Sequence, residues 1–108
     1  MGLDEGLALM REERWFDAHE ELEGEWRSAP PGERDFLQGL VHVTVAWHHA
    51  AQGNVRGASG QLEKAERRLA AFRPVHRGVD VGRVLGQVEA ARARLAVGLT
   101  DLLPVRLP

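Results

Sequence analysis

Every stretch of this chain with a clear apolar rhythm repeats at helical spacing, and none alternates over a length that would make a useful strand. That confines the fold to an all-α array in which apolar stripes face one another. Leu3, Leu7 and Met10 share one face and predict a short first helix over 3–13. After a break at Arg14 and Trp15, a second helix is expected over about 16–27. Ser28-Ala29-Pro30-Pro31 ends it, because the residue before a proline avoids helical angles. Pro31 can then sit in the first turn of a third helix, about 31–52. This one is the most apolar: Phe36, Leu40, Val43, Trp47, Ala50 and Ala51 make a wide face that Leu37, Val41 and Val45 extend, so it is expected to be central. Gly53-Asn54 terminates it in a left-handed cap. A fourth helix is expected over about 55–72, with Ala58, Leu62, Ala65, Leu69 and Phe72 at core spacing. Pro74 and Gly78 mark the next loop, and Asp80 is suited to cap a fifth helix over about 81–97. The expectation is a compact antiparallel bundle of about five helices in a single domain spanning 1–108. Its apolar, proline-broken tail, 102–108, packs on this domain or on a second subunit.

Composition narrows the chemistry. The chain has no cysteine, which excludes disulfides, thiol catalysis and cysteine-ligated zinc or iron–sulfur centres; any metal would need histidine and carboxylate ligands. No apolar run approaches the roughly 20 residues of a membrane span. The acidic N-terminus lacks the plan of a signal peptide, so a cytoplasmic location is expected. Residues 1–35 hold 11 acids and 4 arginines, a balance of −7, whereas residues 36–108 hold 5 acids and 10 bases, a balance of +5. This asymmetry suggests charge complementarity between packed helices or between subunits, and a homodimer is the expected assembly. Nucleic-acid binding is disfavoured, because the basic part has no dense run and no exposed stacking aromatics. No glycine pattern follows a strand, and neither Ser28 nor Ser59 has a His–Asp partnership, which argues against a phosphate loop and serine catalysis.

Two polar intrusions stand out against the helical pattern. On the second helix, Phe16, Ala18, Leu22 and Trp26 share one arc, and His19 and Glu23 fall inside it, while Asp17, Glu21 and Glu25 take the other face. This arc places His19 and Glu23 in the interior, where ionisable groups are costly unless paired. On the third helix, Gln38, His42, His49 and Gln52 line one narrow stripe. In antiparallel neighbours the two sets can meet, with His19, Glu23 and, at the edge, Glu20 opposite Gln38, His42 and His49.

Two readings of that cluster stay open. In the first, a buried polar network of His19, Glu20, Glu23, Gln38 and His49 pins helices in a non-catalytic module whose surface binds a protein partner. In the second, His19, Glu23 and His49 ligate a divalent metal (zinc, manganese or iron) and Glu20 acts as base in a metal-dependent hydrolase. Elsewhere, Trp26 and Trp47 are expected to pack in the core and Trp15 to staple the start of the second helix. His48 is expected on a helix flank, and His76 in solvent between Arg73 and Arg77.

The residues Phe16, Ala18-His19-Glu20, Leu22-Glu23, Trp26-Arg27, Phe36-Leu37-Gln38-Gly39-Leu40, His49, Gly53-Asn54 and Gly57-Ala58 resemble, in this order, domain of unknown function family 309. Its members are small bacterial and archaeal proteins sometimes labelled predicted metal-dependent hydrolases. The resemblance covers roughly residues 10–72. It implies an all-helical fold and puts weight on His19, Glu20, Glu23, Gln38 and His49. At His42 the family more often carries glutamine. The label implies a reaction class but no substrate.

Overall fold

Pro30 has extended backbone and Pro31 supplies the first helical residue, so the chain reverses between its second and third helices without losing a hydrogen bond that a proline could not make. A computed structural model describes residues 2–103 and 105–107. The helices are α1 (Gly2–Arg11), α2 (Trp15–Ser28), α3 (Pro31–Ala51), α4 (Val55–Leu69) and α5 (Val81–Ala96). Each packs on the next in sequence, and α3 lies between α2 and α4. The fold is all-α, as the periodicity predicts. Among the described residues no helix is long and apolar enough to cross a membrane.

Two glycines set how closely the helices approach. A Cβ on Gly6 would stand 2.7 Å from Leu22 Cδ2, so the α1 backbone lies directly on α2. On Gly39 it would stand 2.5 Å from Leu69 Cγ, so α3 and α4 touch backbone to side chain. Caps fix the turns. Gly53 takes the left-handed conformation after α3 (φ 76°), and the Asn54 side chain accepts from the Gly57 N–H at 2.9 Å to open α4. Asp80 does the same for α5, accepting from the Arg83 N–H at 3.0 Å.

Three details depart from expectation. The fourth α-helix stops at Leu69 and tightens into a 3-10 turn, Ala70–Phe72, which brings the Phe72 ring to 5.5 Å from that of Phe36. The loop after it holds a small antiparallel hairpin, β1 (Val75–His76) and β2 (Val79–Asp80), with Val75 opposite Asp80. Its two turn residues, Arg77 and Gly78, both have positive φ, as a tight primed turn demands. Two-residue strands are too short to leave an alternating pattern. Third, Trp15 does not precede the second helix but begins it, buried against Trp47 with ring centroids 6.3 Å apart.

The tail packs on this same chain. Val105 is 3% exposed. The Trp47 indole donates to the Leu103 carbonyl at 2.9 Å, and the Gln87 amide both donates to the Arg106 carbonyl and accepts from its N–H, as a neighbouring strand would. Pro104 and Pro108 of that tail lie outside the described residues.

Candidate functional site

On α2 the buried arc is Trp15, Ala18 and Leu22, with Trp26 half-buried at its edge under the Arg34 guanidinium, 5.5 Å from the ring. Phe16, placed on the core arc by the sequence, is 59% exposed. Trp15 falls between Leu22 and Trp26 at about 100° per residue, so without Phe16 the arc ends near Trp26. His19 and Glu23 thus move from the interior to a flank. Their side chains retain 27% and 39% exposure, His19 Nε2 lies 3.5 Å from Glu23 Oε2, and Arg27 also approaches Glu23 at 3.9 Å. The expectation of a buried His–Glu pair is corrected to a half-exposed one along a single helix. Glu20 is exposed.

The other expected members are elsewhere. His49 sits in the last turn of α3, where the Asn54 amide donates to its Nδ1 at 3.3 Å and the Asn54 N–H donates to its carbonyl at 2.9 Å. That engages His49 in closing the helical hairpin. Gln38 and His42 do not face α2. The stripe they share is the one wetted strip of a helix that is buried on both sides, and it borders α4. Among the described residues no three His, Asp or Glu side chains stand together as ligands for a metal ion. His19 and Glu23 alone can offer two donors one turn apart, so the expected triad with His49 does not fit the geometry.

What the structure does assemble is a polar groove of about 610 Å³ between α3 and α4, lined by Asp35, Gln38 and His42 from one helix and Lys64, Arg67 and Arg68 from the other. His42 Nδ1 donates to Gln61 Oε1 at 2.7 Å, a bond between helices. Burial pushes the His42 pKa below its ordinary value; the Gln61 bond opposes this, and the nearby charges of Lys64, Arg68 and Arg67 add to the lowering. His42 is therefore neutral at pH 7, with Nε2 left as an acceptor. Arg68 pairs with Asp35 at 2.6 Å. Lys64 and Arg67 have no such partner among the described residues, so the groove keeps two uncompensated positive charges.

Gln61, Lys64 and Arg68 recur at i, i+3 and i+7, one face of α4. The spacing was available in the sequence, but read alone it looks like a solvated charged face. His76 was also missed. Instead of standing in solvent it lies half-buried with its ring 4.7 Å from Phe36 and 4.8 Å from Phe72, and Nε2 contacts Glu33 Oε1 at 2.8 Å. Arg77 approaches both Glu33 and Glu25 at 3.8 Å, which ties the hairpin to α2 and α3.

No curated protein matches the chain. A family model does, over residues 3–60, more than half of the 108. The matched segment takes in α1, α2, α3 and the opening of α4, including His19, Glu23, Gln38, His42 and His49, and it stops just before Gln61 and the groove's cations. By that match the chain belongs to the family described as Domain of unknown function (DUF309).

Proposed function

We propose that this chain is a non-catalytic helical interaction module whose α3–α4 groove holds an acidic segment of a protein partner. The observation that carries the reading is the pair of uncompensated cations, Lys64 and Arg67, beside a neutral histidine and Gln38. Carboxylates would meet the two charges, while Gln38 and His42 Nε2 offer the hydrogen bonds that a peptide can use. No Phe, Tyr or Trp side chain lines the groove. A cytoplasmic homodimer belongs to the same proposal. Residues 1–35, with their −7 balance, give a second copy the charge that the groove lacks. The hydrolase alternative asks for a third donor beside His19 and Glu23, and none stands there among the described residues.

The test uses a fluorescent peptide of the α2 sequence, residues 15–28, as an acidic probe, titrated with the intact protein and followed by anisotropy. Lys64→Glu with Arg67→Glu is expected to weaken binding by about tenfold or more, and added salt to weaken it further. Light scattering on the same samples is expected to show a dimer for the parent chain and monomer for the variant. Equal binding by both proteins would overturn the groove as the docking site.

A further inference from the structure

A second cavity, of about 400 Å³, lies between α5 and the C-terminal tail. Trp47, Ala91 and Leu103 give it apolar walls, and Arg83, Arg94 and Arg106 line it as well. Its neutral polar groups are already engaged: the Trp47 N–H with the Leu103 carbonyl, and the Gln87 amide with Arg83 and Arg106 backbone atoms. The guanidinium groups are at most partly engaged. Arg94 reaches Asp101 through Nη2 at 2.7 Å, but its Nε is buried with no hydrogen-bond partner among the described residues. The guanidinium groups of Arg83 and Arg106 have no carboxylate partner among the described residues. Three cations thus share one apolar cavity with a single carboxylate, Asp101, beside them.

An unpaired buried donor is costly, and one anion would relieve it while meeting the exposed guanidinium groups of Arg83 and Arg106. The size falls within the range that holds a small organic ligand. We propose that this cavity binds a small amphipathic carboxylate. Its apolar body lies against Trp47 and Leu103. Its carboxylate accepts from Arg94 Nε and is flanked by Arg83 and Arg106. The guanidinium fork matches a carboxylate's two oxygens, and the greasy walls reject a ligand that is only charged. This site is separate from the α3–α4 groove and does not depend on its reading.

Calorimetric titration of the intact protein with decanoate, decanol and decyl phosphate tests it. Decanoate is expected to bind saturably at one site, and decanol, which keeps the chain without the charge, about tenfold more weakly. Arg94→Gln is expected to weaken decanoate by about tenfold. Asp101→Asn, at an exposed position that removes only the competing carboxylate, is expected to tighten it by about threefold. The gain in that second variant cannot come from misfolding. Absence of saturable decanoate binding, decanol binding as tightly as decanoate, or indifference to both substitutions would each overturn the site. Decyl phosphate binding more tightly than decanoate would overturn the carboxylate assignment.

Discussion

Two histidines of this chain hold side-chain partners in opposite ways. His19 and Glu23 lie on the same helix, one turn apart, half in water, at 3.5 Å. His42 and Gln61 lie on different helices, 19 residues apart, at 2.7 Å, in a place where burial already works against a charged ring. The first pair carries a formal charge and a familiar spacing; the second is a neutral bond between helices. The contrast shows that the more conspicuous pair in a sequence need not be the more consequential one. An exposed i,i+4 pair is screened and contributes only tenths of a kcal/mol, whereas a desolvated neutral bond fails expensively if one side is removed.

The largest expected effect tests the seam beneath His42. Gly39 lies one turn before it, against Leu69, which is fully buried. Gly39→Val is expected to destabilise the fold by about 2–3 kcal/mol, because the branched side chain must displace Leu69. Gly24→Val, on the exposed face of the His19 helix with nothing within 4 Å, is expected to change stability by no more than about 0.5 kcal/mol. Urea denaturation of both variants reads the difference. Similar losses at the two positions would mean that the α3–α4 contact is looser than Gly39 implies.

A smaller effect separates the histidines themselves. His42→Ala leaves the half-buried Gln61 carbonyl without its donor and is expected to cost about 1–2 kcal/mol. His19→Ala removes a half-exposed contact with Glu23 and is expected to cost less than about 0.5 kcal/mol. If the order reversed, the α2 pair would have to be anchored by more than Glu23.

The helices were legible because each buries a stripe long enough to repeat several times, and because Pro31, Gly53, Asn54 and Asp80 act locally, through their own backbone or nearest N–H. The sites were less legible for three physical reasons. On α2, Trp15 and Phe16 are adjacent, and a helix turns about 100° between them, so choosing the wrong one as the buried aromatic widens the arc over His19 and Glu23. On α3 the polar stripe was readable as Gln38 and His42, but a central helix has neighbours on two sides, and spacing along one helix says nothing about which of them the stripe meets. His76 depends on a two-residue hairpin and on Phe36, 40 positions earlier, and neither leaves a periodic mark.

Acidification gives the comparison a sign. The folded chain holds the His42 pKa below the ordinary histidine value of about 6.5, so below that pH the unfolded chain binds a proton that the folded one resists. The stability due to neutral His42 is therefore complete above about pH 6.5 and is lost as pH falls through its folded-state value. Lys64, Arg67 and Arg68 deepen the loss, and Asp35 is already engaged with Arg68. Thermal melts between about pH 7.5 and 5 are expected to show a fall in Tm that becomes shallower in His42→Gln, an uncharged side chain that can still donate to Gln61. An identical pH dependence in that variant would remove His42 as its source.

The smallest expected quantity is the coupling energy inside each pair, and it sharpens the contrast because it cancels whatever each single substitution does alone. For His19 and Glu23 a double-mutant cycle to alanine at pH 7.5 is expected to give no more than about 0.5 kcal/mol, as for other half-exposed pairs one turn apart. For His42 and Gln61 the cycle is expected to give about 1 kcal/mol and to be insensitive to salt, because neither partner is charged. The salt arm is the more discriminating one. A salt-sensitive His42–Gln61 coupling would mean that the ring carries a proton in the fold, and the neutral floor on which the acidic-segment reading rests would be gone. A salt-insensitive coupling near 1 kcal/mol on α2 would instead restore His19 and Glu23 as a desolvated pair and return the search for function to that helix.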